Sequence, residues 1–159
     1  MLINRFIKNK IFQVKFGRLL KKISITNIDS LSGVEFEEFV ANYFKYLGYD
    51  ALKTRTTGDN GIDIIAAQGD TTLGVQAKLY YGHNISNSAV QEAYSGCRYY
   101  KCSVAIVVTN WHFSKPATNL ARELKVGLID REKLSAMLKC SKRESIKIIR
   151  EIIENANAI

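Results

Sequence analysis

Residues 62–79 decide the fold, and they read IDIIAAQGDTTLGVQAKL. Two β-forming runs, 62–67 and 73–79, flank the polar, glycine-containing segment 68–72. Short β-rich runs joined by such a segment are typical of a β-hairpin. The sequence therefore predicts two adjacent antiparallel strands in the middle of the chain.

The register of this hairpin brings three polar side chains to one face. A turn centred between Gly69 and Asp70 makes Asp63 face Gln76. Because side chains alternate along a strand, Lys78 then points to the same side as Gln76. Oxygen ligands suit Mg²⁺, and an ammonium can neutralise charge on a phosphate. On spacing alone, an ordinary cross-strand ion pair on a solvated sheet face is the more common explanation.

Helices and strands alternate through the rest of the chain. Helices are predicted at about residues 34–47, 87–99, 115–124, 131–138 and 143–154, and strands at 49–54, 104–109 and 126–129. Ser32 and Glu35 have the spacing of a capping box, and Ser114 and Asp130 are the predicted caps of later helices. The order predicts an α/β fold with a mixed β-sheet flanked by helices on both faces.

Composition limits the class of protein. A chain of 159 residues, 47% of them apolar, has the size of about one domain and can bury a core. No apolar run is long enough for a membrane span. Cys97, Cys102 and Cys140 lack metal or disulfide spacing, and His83 and His112 stand alone. We expect reduced thiols in a cytoplasmic protein.

Positive charge is concentrated at the N-terminus. Residues 1–25 contain seven basic residues and no acid, so that of the net charge of +8 only +1 remains for residues 26–159. Three interpretations stay open for this basic amphipathic segment: an arm that contacts nucleic acid, a helix packed on the main domain, and a transit peptide or membrane-surface helix. The predicted organisation is an N-terminal arm (1–30), a main domain (31–138) and a C-terminal helix (139–159).

Several ordered motifs resemble the catalytic core of the Mrr-like restriction endonucleases, a branch of the PD-(D/E)xK nuclease superfamily in which QxK often replaces ExK. The matching stretches are Gly58-Asp59-x-Gly61-Ile62-Asp63-Ile64-Ile65, Val75-Gln76-Ala77-Lys78-Leu79-Tyr80, Gly33-x-Glu35-Phe36-Glu37, Leu47-Gly48-Tyr49, Val107 to Ser114 and Leu128 to Leu134. The resemblance spans about residues 31–138 and implies a restriction-endonuclease-like sheet.

The resemblance also implies roles for the hairpin residues. Asp63 would be the metal-binding aspartate, Gln76 the ligand in the position more often held by glutamate, and Lys78 the catalytic lysine. The backbone carbonyl of Ala77 would complete the coordination of Mg²⁺, with Mn²⁺ as a substitute. Glutamine in place of glutamate removes one negative charge from the site. We therefore expect the site to bind a metal ion more weakly.

Two further residues are candidates for the same site. Glu37 matches the acid that the family's first helix brings to the metal directly or through water. Gln91, in the helix after the hairpin, resembles a glutamine or glutamate often found there. The implied activity is metal-dependent hydrolysis of DNA phosphodiester bonds, in restriction, DNA defence or DNA processing.

Other functions remain open at this stage. A Holliday-junction-resolvase-like nuclease would use the same chemistry on branched DNA. A non-catalytic DNA-binding module would keep the fold without the reaction, and an interaction protein would use the basic arm on membranes or partners. No base-reading motif is present, so DNA specificity is expected to be low or to come from a partner protein or a second subunit. Nothing in the sequence requires a homodimer.

Overall fold

Five strands and seven helices make up the part of the chain that the computed structural model describes. That part comprises residues 2–54 and 60–157, with side chains from residue 7 onward. Helices α1 to α7 span Leu2–Leu20, Ile25–Asp29, Gly33–Leu47, Asn87–Tyr99, Lys115–Leu124, Arg131–Lys139 and Lys142–Asn157; strands β1 to β5 span Asp50–Lys53, Ile64–Gln68, Thr71–Lys78, Val104–Thr109 and Gly127–Ile129. Gly58 and Asp59 of the first matching motif lie outside the described residues.

The sheet is mixed, as predicted. Its strands lie in the order β1-β2-β3-β4-β5; the β1–β2 and β2–β3 pairs are antiparallel, and the β3–β4 and β4–β5 pairs are parallel. Ile65 faces Gly74, which is the register of a turn centred between Gly69 and Asp70. Since β1, β3, β4 and β5 run in the same direction, their carboxyl ends share one edge of the sheet with the beginning of β2.

Helices cover both faces of the sheet. On one face α3, α6 and α7 pack against residues such as Ile64 and Val108, and on the other α4 and α5 pack against residues such as Val107. Every residue of β4 is buried, as its continuous apolar run predicts. The sheet is thus a central layer with a buried apolar cluster on each face.

Local sequence signals set the ends of several helices. Ser32 and Glu35 form the capping box that begins α3, and α3 ends at Gly48, whose φ of +104° requires a residue that tolerates the left-handed region. The side chains of Ser114 and Asp130 accept backbone hydrogen bonds at the beginnings of α5 and α6. These predicted caps are confirmed.

The N-terminal segment forms a helix that packs on the domain. The Phe16 ring lies 6.0 Å from the Phe39 ring of α3, and Leu20 is also buried. The second half of α1 therefore packs on the domain, and Lys15 and Arg18 in this half stay exposed. No helix in the described ranges is long and apolar enough to cross a bilayer.

The short helix α2, which was not predicted from the sequence, supplies a carboxylate that binds two residues at the edge of the sheet. Asp29 accepts two hydrogen bonds from the Arg131 guanidinium, at 2.7 and 2.9 Å, and one from the Asn110 amide at 3.0 Å. Asn110 is fully buried, and its side chain also bonds both the N–H and the carbonyl of Tyr80. The network therefore fixes the backbone two residues beyond Lys78.

Replacing Asp29 by alanine should destabilise the fold, because Arg131 and Asn110 would lose their shared acceptor. We expect a loss of about 1–3 kcal/mol in the free energy of unfolding at neutral pH, measured by urea denaturation.

The same pair predicts a pH dependence. The Arg131 hydrogen bond is the main influence on the pKa of Asp29; burial opposes it, and the net pKa lies below the ordinary value of 3.8. The advantage of the natural protein over Asp29→Ala should therefore be complete above about pH 3.8 and shrink as the pH falls through the lowered pKa. Asp50→Ala, at an exposed acid, is the control. Equal stabilities of the natural protein and Asp29→Ala at neutral pH would contradict the prediction.

Candidate active site

Asp63 is held at the beginning of β2 by its backbone and by its side chain. Its N–H donates to the Val75 carbonyl at 2.9 Å, and its own carbonyl accepts from the Thr54 N–H at 2.8 Å. The carboxylate atom Oδ2 accepts the Ala77 N–H at 2.7 Å, in the position where a strand partner would otherwise accept it. This carboxylate is therefore oriented by the hairpin itself.

Gln76 is a polar residue inside the sheet. It is 3% exposed, and its Nε2 donates to Oε2 of Glu92, on α4, at 3.1 Å. Its Oε1 is buried and has no hydrogen-bond partner among the residues that the structure describes. A buried acceptor without a partner is costly to the fold, and natural structures contain few of them. The Gln76 oxygen is therefore a candidate ligand atom.

Lys78 contacts the same carboxylate oxygen. Its Nζ lies 2.9 Å from Oε2 of Glu92, and the two side chains are 30% and 47% exposed, respectively. Burial raises the pKa of Glu92, but hydrogen bonds from Lys78 and Gln76 together with the Lys78 charge outweigh it and bring the pKa below its ordinary value. Glu92 is therefore ionised at neutral pH and holds two residues of the predicted group.

Two glycines allow the hairpin to lie directly on α4. A Cβ on Gly96 would lie 2.3 Å from the Asn60 carbonyl oxygen, and a Cβ on Gly61, whose φ is +81°, would lie 2.4 Å from the Glu92 carbonyl oxygen. Neither position accepts a side chain without movement of the backbone. This close approach puts the backbone of Glu92 beside Gly61, two residues before Asp63.

Glu92 is not among the residues predicted from the sequence. The structure pairs it with Gln76 and Lys78, which the register had already placed on one face with Asp63. A signal was present in α4, where Ala89, Ala93 and Gly96 make one face of the helix small enough for close packing. Glu92 borders that face. The spacing of the small residues therefore indicates that Glu92 lies close to the element on which α4 packs.

Two predicted site residues lie apart from this group. Glu37 pairs with Lys53 at 3.0 Å, and Lys53 faces Ile64 on the α3 side of the sheet. The Gln91 side chain, in α4, is exposed to solvent. Both stay predictions, since the structure joins neither one to Asp63, Gln76 or Lys78.

The donor atoms at this edge are oxygens. The described residues contain no cluster of three histidine, cysteine, aspartate or glutamate side chains that could hold a metal ion. Glu92 and Gln76 bring a carboxylate and an amide side chain together, and the Asp63 carboxylate and the Ala77 carbonyl stay predicted members of a donor set. All-oxygen sets suit hard cations such as Mg²⁺ rather than zinc.

A family model for the Mrr catalytic domain, described as a restriction endonuclease, matches residues 28–138. The chain belongs to this family. The matched range contains the whole sheet, Glu92 and the network around Asp29. No curated protein matches this Mrr-type chain.

Two solved structures share the fold of the Mrr-type domain. One is described as protein of unknown function AF1548, with 15% identity and a TM-score of 0.53 over 74% of this chain and 77% of that chain. The other is the MspJI restriction endonuclease in complex with a 27-mer oligonucleotide, with 16% identity and a TM-score of 0.53 over 88% of this chain. The match covers only 35% of the MspJI chain. At these identities the likeness establishes the restriction-endonuclease-like fold and nothing finer.

The glycine contact predicts a sensitive position. In Gly96→Ala the new methyl group would force the segment around Asn60 away from α4, and we expect a loss of about 1–3 kcal/mol in the free energy of unfolding. Gly33→Ala is the matched control, because nothing lies within 4 Å of a Cβ at that helical position. Denaturant unfolding of both variants measures the difference. Equal stabilities of the two variants would contradict this reading of the contact.

Proposed function

We propose that this Mrr-type domain hydrolyses DNA phosphodiester bonds with a divalent metal ion, Mg²⁺ or its substitute Mn²⁺. The observation that carries the proposal is the buried, unpaired oxygen of Gln76 beside the ion pair of Lys78 and Glu92. A role in DNA defence or DNA processing follows from the family. DNA as substrate is supported by the MspJI structure, which holds an oligonucleotide.

The residues present fit a hard cation. Asp63, Gln76 and the Ala77 carbonyl would hold it, and Glu92 would add a second negative charge nearby. Such an ion, when bound, stabilises negative charge on the phosphate and lowers the pKa of water. Glu37 would join these residues only after its ion pair with Lys53 opens.

The chain's own residues have distinct roles in the proposed reaction. Asp63 is oriented by the Ala77 N–H, so its carboxylate does not have to reorganise on binding. Lys78 neutralises charge at the attacked phosphate, and Glu92 positions its ammonium. A water oxygen bonds to phosphorus while the bond to the 3′ oxygen breaks, which leaves a 5′-phosphate and a 3′-hydroxyl after proton transfer to the leaving oxygen.

Loss of either hairpin residue should abolish cleavage without unfolding the protein. Asp63→Asn and Lys78→Met are each expected to lower the rate of DNA cleavage by about a hundredfold or more, because each removes a charge used at the phosphate. The assay uses plasmid, modified and branched DNA with Mg²⁺ and with Mn²⁺, so that a resolvase-like preference would also be seen.

Matched controls are available on the surface. Asp50→Asn, at the opposite edge of the sheet, and Lys147→Met, in α7, make the same chemical changes away from the site. They should cleave like the natural protein. Cleavage that survives in Asp63→Asn and Lys78→Met, or no cleavage by the natural protein on any of these substrates, would refute the proposal.

Gln76→Glu tests the metal site without relying on activity. In metal-free protein the new carboxylate would face Glu92 across the 3.1 Å contact and lower the thermal midpoint through like-charge repulsion. Adding Mn²⁺ should raise the midpoint of Gln76→Glu more than that of the natural protein, because the added ligand charge strengthens binding. Equal shifts for the two proteins would exclude residue 76 as a ligand.

A further inference from the structure

Helix α1 has two apolar faces, and only one of them is used by the fold. Phe16 and Leu20 are buried against the domain. Ile7, Ile11 and Val14 follow one another at steps of four and three residues on the opposite side of the helix, and they are 48%, 49% and 49% exposed. We call these three residues the outer stripe. The described residues provide no cover for it.

Basic residues border the outer stripe on both sides. At 100° per residue, Lys10 lies roughly 60° to one side of Ile7 and Lys15 roughly 80° to the other. Arg18 continues the line of the stripe toward the end of the helix. No acidic residue occurs in residues 1–25, so this face of α1 carries positive charge alone.

We propose that the outer stripe and its bordering lysines bind an anionic lipid surface. A helix lying in a membrane interface places an apolar face among the lipid headgroups, while lysine stems at the borders carry their ammonium groups outward to the phosphates. Anionic lipids attract such basic segments. Both the apolar stripe and the lysines at its two borders are used in this arrangement.

DNA and a second copy of the chain are the two other occupants considered for this face, and each would engage only some of its side chains. DNA phosphates would use the lysines and leave the three apolar side chains in water. A second copy of the chain would cover the stripe, but it would also bring two all-positive faces together. The lipid surface satisfies the charges and the apolar side chains at once. It also leaves the proposed active site open, since Gln76 and Lys78 bond to Glu92 of α4, whereas α1 packs with α3 on the other face of the sheet.

The test is co-sedimentation of the full chain with vesicles of phosphatidylcholine, with and without phosphatidylserine. We expect binding only when phosphatidylserine is present. The variant Ile7→Ser/Ile11→Ser/Val14→Ser keeps every charge and should lose about tenfold or more in the partition coefficient. Lys10→Gln/Lys15→Gln keeps the stripe and should lose about tenfold as well.

Val34→Ser and Lys147→Gln are the controls, because they change an exposed apolar residue and an exposed lysine elsewhere on the surface. Both should bind vesicles like the natural protein, and circular dichroism should show all variants folded.

No vesicle binding by the natural protein would overturn the proposal, as would binding that survives loss of the stripe. Loss of DNA binding in the lysine variant alone, without vesicle binding, would identify a phosphate-binding arm instead. A change from dimer to monomer in the stripe variant, without vesicle binding, would identify a self-association face.

Discussion

The candidate site depends on the direct contact between the segment before β2 and helix α4. Gly61 and Gly96 make that contact, since a methyl group at either position would overlap a carbonyl oxygen of the other element. The contact fixes the distance between hairpin and helix, and with it the hydrogen bond from Gln76 and the ion pair from Lys78 to Glu92. Orientation of the site is therefore a result of backbone packing, with side-chain interactions added to it.

Those parts of the structure that rest on local rules could be predicted from the sequence. Strand alternation and a short turn were enough to obtain the register that pairs Ile65 with Gly74. Hydroxyl and carboxylate caps marked the beginnings of α3, α5 and α6 because their hydrogen bonds reach only three residues along the chain. The motifs placed the family correctly for the same reason, since each of them is a short stretch of consecutive residues that can be recognised without knowledge of the tertiary contacts.

Contacts between distant segments could not be obtained in this way. Arg131 finds its partner Asp29 at a separation of 102 residues, and α2 is only one turn and a half long, too short to show a helical period. Glu92 was passed over in favour of its neighbour Gln91, because one helical step changes which side chain faces the hairpin. The apolar stripe of α4 consists of small residues. Such a stripe does not define the rotation of the helix about its axis closely enough to distinguish residue 91 from residue 92.

The shared carboxylate of Glu92 makes the charge of the site a property of the tertiary structure. Among the three motif residues that the hairpin supplies, the opposite charges of Asp63 and Lys78 cancel, and Gln76 adds none. The surplus negative charge arrives only when α4 is in place. A transplanted hairpin would consequently carry the motif without its electrostatics, and any state of the protein in which α4 moves outward would weaken the attraction for a cation before a single residue of the motif had changed position. By the same reasoning, the effect of a substitution at residue 76 depends on the residue present at position 92.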